Sequence, residues 1–342
     1  MAAGAAAGGV SPPDDRFAPR LDLPPPPGAM LALPGDFGRR FAIFADAEEE
    51  FDWTRPFDRA ATATRSIAAL PGANRRFVER GIVPTYLVDW PVVDRPESAA
   101  ILRRLVDRGE CDIGAQLHPW VTPPHEEDVC ARNSFAGNLP RALEGAKIAA
   151  LTDRIAGAFG RRPLVFRAGR YGVGPHTGAL LAEAGYRLDV SVRALFDYAR
   201  EGGPDFSRHP ALPWRVAPGL RTLPLTSALV GRLRRRARLP RAGWLRGVLA
   251  RGGLLGRVAL TPEGMPLAEV LDAIRLLLDD GHRLFSLSFH TPSLEPGHTP
   301  YVRDAADLAR FWAWWDGVLG LFAREGVAPA RADEIIAAFD AA

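Results

Sequence analysis

Apolar and polar positions along the chain fall into two alternating rhythms. Short, nearly continuous apolar runs at residues 41–45, 83–88, 111–117, 164–166, 188–192, 257–260 and 283–289 predict buried strands. Between them, apolar residues recur at helical spacing and predict helices over 66–80, 98–108, 139–159, 175–184, 266–280, 305–324 and 332–339. Ile148, Leu151, Ile155 and Phe159 give the clearest stripe, and Leu267, Val270, Leu271, Ile274, Leu277 and Leu278 another, with Pro266 suited to a first turn. The helix over 66–80 is expected to break near Pro71-Gly72, and Gly185 to end the one before it in the chain. Phe311 and Trp315 sit at core spacing. Repeated strand–helix alternation argues for an α/β protein with a parallel sheet, either closed as a barrel or open and doubly wound. Two stretches fall outside the rhythm. Residues 1–37 are rich in Ala, Gly and Pro and are expected to be disordered or extended, whereas 193–256 carry many Pro and Gly and read as an irregular insertion.

The first strand changes character abruptly. Phe41 to Ala45 is apolar, and then Asp46, Glu48, Glu49 and Glu50 follow within five positions. Unpaired carboxylates cannot stay inside a buried strand, so the acids belong at its C-terminal mouth, where α/β sheets bind ligands. Asp46 and Glu48 alternate and would share one face, one as base and one as metal ligand. Glu49, Glu50 and Asp52 read as solvated loop acids. His118 follows the strand at 111–117 and reaches the same mouth, either as a metal ligand or as a hydrogen-bonded structural histidine. His125 lies beyond Pro123-Pro124 among Glu126, Glu127 and Asp128; it is a candidate second ligand or a surface histidine. Arg167 ends the strand at 164–166 beside a Gly-rich turn and is suited to ionise a carboxylate by a two-point contact, or to a surface ion pair. His290 ends the last strand, and His298 lies in the loop beyond it.

Composition narrows this picture modestly. The chain has 342 residues, 47% hydrophobic and 24% charged, which suits a soluble globular protein. A net charge of +3 and the lack of a nucleic-acid motif give no reason to expect a nucleic-acid partner. Nine arginines and no acid occupy 232–257; this stretch is either a weak contact for an anionic surface or a solvated insertion. Cys111 and Cys130 are too few for a disulfide framework. Neither a secretory leader nor a transmembrane run is apparent, so a cytoplasmic location is expected.

Taken in order, several stretches resemble the NodB-type polysaccharide deacetylases, and more narrowly their WalW-like members. Phe166-Arg-Ala-Gly-Arg-Tyr-Gly172 followed by 180–192 looks like the family's Arg-containing motif and the elements after it. Pro84-Thr-Tyr-Leu-Val88 looks like its second strand, Asp112-Ile-Gly114 like the approach to its metal-histidine motif, and Leu287-Ser-Phe-His290 like its last motif. The resemblance implies a single domain over 38–342, folded as a distorted (β/α)7 barrel. It implies a metal-dependent hydrolase that removes an acyl, typically acetyl, group from an acylated sugar, polysaccharide or related amide. By the same resemblance Asp46 would be the general base and Arg167 would hold it ionised, with Asp189 nearby. His290 would be the general acid. Glu48 and His118, with His125 as a recruited third donor, would hold a divalent metal, zinc first. The alternative is a non-catalytic carbohydrate-binding or regulatory protein on a degenerate deacetylase scaffold. The chain departs from the family's pattern at three places. Phe44-Ala-Asp46-Ala47-Glu48 replaces Thr-Phe-Asp-Asp-Gly, the histidine pair is matched by Gln116 and Trp120 with His118 between them, and the proline of the Arg motif is Gly169.

Overall fold

In the computed structural model, residues 20–234, 252 and 254–342 are described. The strands are β1 (Arg40–Ala47), β2 (Thr85–Val88), β3 (Asp112–Leu117), β4 (Val165–Ala168), β5 (Leu188–Asp189), β6 (Trp214–Ala217), β7 (Leu220–Thr222), β8 (Ser227–Val230), β9 (Gly256–Ala259), β10 (Leu284–His290) and β11 (Ala328–Pro329). The main sheet runs β10-β1-β2-β3-β4-β5-β7-β6, parallel except for β6, with β11 also beside β1. β8 and β9 form a separate antiparallel pair. The main sheet curls until its ends approach. Thr226 donates its N–H to Ser286 O, Ser288 N–H to Leu260 O, and Leu225 N–H to Val192 O, so the connection into β8 bridges the gap. The result is one α/β domain with a curled half-barrel, consistent with the distorted barrel expected.

The helices are α1 (Leu70–Val78), α2 (Trp90–Asp94), α3 (Pro96–Asp107), α4 (Arg141–Phe159), α5 (Thr177–Glu183), α6 (Leu267–Asp279), α7 (Ala305–Arg324) and α8 (Ala332–Asp340). α1 does not break at Pro71-Gly72. It starts there, because Pro71 falls in the first turn, where its missing N–H costs nothing. Short α2 was not foreseen; Asp89 caps it by accepting from the Val92 N–H. No helix among the described residues is long and apolar enough to cross a membrane.

Strand alternation divides the core. Phe41, Ile43, Ala45 and Ala47 face the surrounding helices, where Phe311 and Trp315 of α7 are buried as their spacing predicts. Ala42 and Phe44 face the inside of the curl with Leu87, Val165, Leu188, Val190 and Leu284. Ile335, Ile336 and Phe339 of α8 plug the bottom of that interior. The next inward positions on β1, toward its C-terminal end, are Asp46 and then Glu48. The barrel interior is thus apolar below and charged at its mouth.

Residues 1–19 of the N-terminal segment lie outside the described residues, and the described parts of both irregular stretches are more ordered than their composition suggests. From Arg20 onward the N-terminal segment is an extended strap packed on the domain. Leu21 and Ala29 are buried, Leu31 N–H bonds to Pro213 O, and Leu31, Leu33 and Phe37 help close the barrel floor. Proline-rich composition gave no sign of this, since the strap satisfies its backbone against other elements. The segment 193–256 is also partly regular, for it contains β6, β7 and β8. These strands have only three or four residues each, too short for an alternating pattern to register. Most of the arginine-rich stretch 232–257 lies outside the described residues. Cys111 is buried and Cys130 exposed, with no bridge between them.

Candidate active site

Parallel register brings the chemistry together. Asp46 on β1 is level with His290 on β10 and with Leu87 on β2, while Gln116 on β3 is level with Arg167 on β4. Asp46, Gln116, Arg167 and His290, with Glu48 and His118 just past their strands, line one cleft of about 390 Å³ at the C-terminal mouth of the barrel. Phe51, Trp53, Phe57, Tyr171, Tyr198 and Tyr301 wall the cleft.

Arg167 is not a surface residue. It is 1% exposed and donates from Nη1 to Asp46 Oδ1 (2.5 Å) and Ser288 Oγ (2.7 Å), and from Nε to Val190 O (3.1 Å). A buried guanidinium needs such partners, and they fix the Asp46 carboxylate with its second oxygen 3.5 Å from His290 Nε2. On its other side, His290 Nδ1 lies 2.6 Å from Glu263 Oε2. Glu263 also accepts from the His290 backbone N–H and from Ser293 Oγ. Burial alone would lower the His290 pKa, but Glu263, Glu48 and Asp46 together overcome it and push the pKa up to about 10. The imidazolium in turn holds Glu263 below the usual carboxylate range despite its burial.

A second cluster adjoins the first. His118 Nδ1 is 2.8 Å from Glu49 Oε2; in the tautomer protonated at Nδ1 the ring donates to Glu49 and Nε2 keeps its lone pair. That Nε2 is 3.6 Å from Glu48 Oε2. Between them sits the Gln116 amide nitrogen, 2.9 Å from Glu48 Oε2 and 3.2 Å from His118 Nε2. Glu49 N–H donates to Asp89 Oδ2. Burial pushes Glu48 and Glu49 each up to about 7 and Asp89 well above its ordinary range. Trp120 stacks on the His118 ring with centroids 4.3 Å apart.

Gly169 makes room for the His118 ring. A Cβ there would lie 2.1 Å from His118 Cδ2 and 2.8 Å from Leu117 O. The His118 ring occupies the space that any larger residue at 169 would fill.

The sequence-derived assignments fare unevenly. Asp46, Glu48, His118, Arg167 and His290 converge. His125 does not: it is exposed and belongs neither to the cleft lining nor to any cluster able to hold an ion. Cis Pro123-Pro124 precedes it, and the acidic neighbours that made it look exposed describe its surroundings. Asp189 is buried behind the cleft, where it accepts from Ser191 Oγ (2.5 Å) and Thr222 Oγ1 (2.8 Å); burial pushes it up to about 6, and no ion pair joins it to Arg167. The expectation for Glu49 was wrong, since it is 0% exposed and holds His118. Glu50 is half-buried and accepts from the Ser66 N–H, and only Asp52 is exposed. Glu263, Asp89 and the role of Gln116 were missed. An acid four residues past the end of β9, in Thr261-Pro-Glu263, was the available signal for Glu263.

The donor set suits a divalent cation. Glu48 Oε1, Glu49 Oε1 and Gln116 Oε1 are buried without partners. Turning the Gln116 amide over would bring its oxygen beside Glu48 and the His118 lone pair. Asp46, Glu48 and His290 also place ligand atoms within 4.8 Å of one another, as do Glu49, Asp89 and His118.

No family model and no curated protein matches the chain by sequence. Solved structures do. A candidate polysaccharide deacetylase from Mycobacterium smegmatis superposes over 92% of this chain and 95% of its own, at 17% identity and a TM-score of 0.55. The Puue allantoinase covers 97% and 98%, at 17% identity and 0.51. A candidate polysaccharide deacetylase from Pseudomonas aeruginosa covers 88% and 91%, at 15% identity and 0.50. These likenesses do not single out WalW-like members. They do establish that this chain has the NodB-type polysaccharide deacetylase fold.

Proposed function

We propose that the protein is a hydrolase that removes an acyl group from an amide or ester, with an acylated sugar as its substrate. The observation that carries this reading is the chain Arg167–Asp46–His290–Glu263 at the floor of one aromatic-walled cleft. Acyl hydrolysis needs a group that takes a proton from water and one that gives a proton to the leaving atom. Asp46, an acceptor fixed by Arg167, suits the first role. His290 carries a proton at neutral pH because Glu263 and its neighbours favour the imidazolium, and it suits the second. Glu48 and His118 would hold a divalent cation, with Glu49 orienting the His118 ring and Gln116 as a further donor. Such an ion supplies Lewis acidity toward the acyl oxygen. Trp53, Tyr171 and Tyr301 offer flat faces for a sugar ring and shield the reacting atoms from bulk water. The names of the structural neighbours, deacetylases and an allantoinase, are compatible with this class of bond.

The test is release of the acyl group from a panel of N- and O-acetylated sugars by purified protein supplied with divalent cation. His290→Ala is expected to lower turnover by about 10²–10⁴-fold. A variant that hydrolyses as fast as the parent would remove His290 from the mechanism.

A further inference from the structure

The cleft contains three arginines besides Arg55 at its rim, and their partners differ. Arg167 is neutralised by Asp46, and Arg170 by Glu201 at 2.6 Å. Among the described residues no carboxylate lies within ion-pair distance of Arg193. Its Nη1 donates to Tyr198 Oη at 3.2 Å, and its other two nitrogens have no hydrogen-bond partner, the Nε being fully buried. The guanidinium is placed firmly nonetheless. It rests 3.9 Å above the Phe196 ring and 5.5 Å from the Tyr171 ring, which itself stacks with Tyr198. Arg257 lies over the same Phe196 ring at 3.5 Å. The backbone here is also unusual. Arg170, Tyr171 and Leu195 all have positive φ, at 56°, 59° and 69°. Non-glycine residues adopt this only where the surroundings impose it, most often at ligand sites. A half-buried, rigidly stacked guanidinium with two nitrogens unmatched is costly unless an anion completes it. Its planar fork matches a carboxylate in two-point contact.

We propose that Arg193 binds a carboxylate of the substrate, so that the acylated sugar is an acidic one. This rests on the hydrolase reading for the identity of the ligand as a sugar. It adds a specificity determinant from a part of the chain that belongs to no catalytic motif. Tyr198 orients the guanidinium, and Tyr171 forms the surface between Arg193 and the Asp46–His290 pair.

The test is calorimetric binding to the full chain of two matched pairs: N-acetylmuramic acid against N-acetylglucosamine, and an O-acetylated galacturonic acid against the O-acetylated galactose. The acidic member of at least one pair should bind at least ~10-fold more tightly, as a charge-assisted pair implies. Arg193→Met should bring that ratio close to one, and Arg193→Lys should restore part of it. Equal affinities in both pairs, no binding of either acidic sugar, or a ratio that Arg193→Met leaves intact would overturn the proposal. Selective binding of an acidic sugar without acyl release would instead sink the hydrolase reading and leave Arg193 as assigned. Acyl release from acidic and neutral sugars alike, with equal affinities, would do the reverse.

Discussion

Gly169→Ala isolates the fit between the arginine motif and the displaced histidine. The new Cβ would stand 2.1 Å from His118 Cδ2, where carbon atoms normally settle at about 3.5–4.0 Å. The ring must therefore retreat by roughly 1.4 Å or more. Its Nδ1 bond to Glu49, now 2.8 Å, cannot survive that shift. The contact with Leu117 O at 2.8 Å involves backbone, so moving the ring does not relieve it. Overpacking of this kind costs about 1–3 kcal/mol, and a lost hydrogen bond to a buried charged group about 1.5–3 kcal/mol more. Urea unfolding should show a loss of about 2.5–6 kcal/mol on these two scales. Calorimetric titration with zinc on the same samples should show affinity weakened about 10–100-fold, as expected when the group orienting a ligand is lost. Gly157→Ala is the control. It lies in α4 with nothing within 4 Å of the added Cβ, so it should stabilise by about 0.5–1 kcal/mol. If Gly169→Ala unfolds at the parent's urea concentration and keeps the parent's affinity for zinc, the packing argument is wrong.

Three further outcomes follow from the same geometry. Glu263→Gln keeps an acceptor for Ser293 but turns an amide toward His290 Nδ1, disfavouring the imidazolium; the alkaline limb of kcat/KM, near pH 10 in the parent, should fall by about 1–2 units. The sign for stability is fixed by the raised pKa. The contribution of protonated His290 is complete below about 6.5 and disappears as pH rises through about 10, so the parent's urea midpoint should drop over that window more than the variant's. Arg167→Met leaves Asp46 buried without its partner and should destabilise the domain by about 3–5 kcal/mol in urea unfolding, unless Asp46→Asn is made as well. Chelator-treated protein should lose acyl release and recover it on addition of a divalent cation. Glu48→Gln should need at least ~10-fold more cation for the same recovery; identical titration curves would exclude Glu48 as a ligand.

Much of this was legible in the sequence because strand ends announce themselves. The switch from Phe44 and Ala45 to Asp46 and Glu48 located the mouth of the barrel, and parallel strands ending in His118, Arg167 and His290 had to deliver them to the same end. The partners of those residues were harder to read. Glu49 looked like one more loop acid, because burial of a carboxylate is a tertiary fact that no local pattern records. Glu263 stands between a proline and a glycine after a short strand, and only the fold brings it beneath His290. His125 had the right element for a ligand but the wrong place, on an exposed turn. Strap residues such as Leu21 and Leu33 lay in a composition that normally marks disorder; they order because the barrel floor offers apolar surface and backbone partners. Strands β6 and β7 were invisible for want of length.

The central claim is that Asp46 takes the proton of the attacking water. Acyl release by Asp46→Asn, measured beside the parent on the best substrate of the acetylated-sugar panel, tests it most directly. Asparagine keeps the shape and an oxygen for Arg167 but cannot accept the proton, so turnover of the folded variant should fall by about 10²–10⁴-fold, at a urea midpoint lowered by leaving buried Arg167 without a charged partner. Turnover within a few fold of the parent would contradict the account.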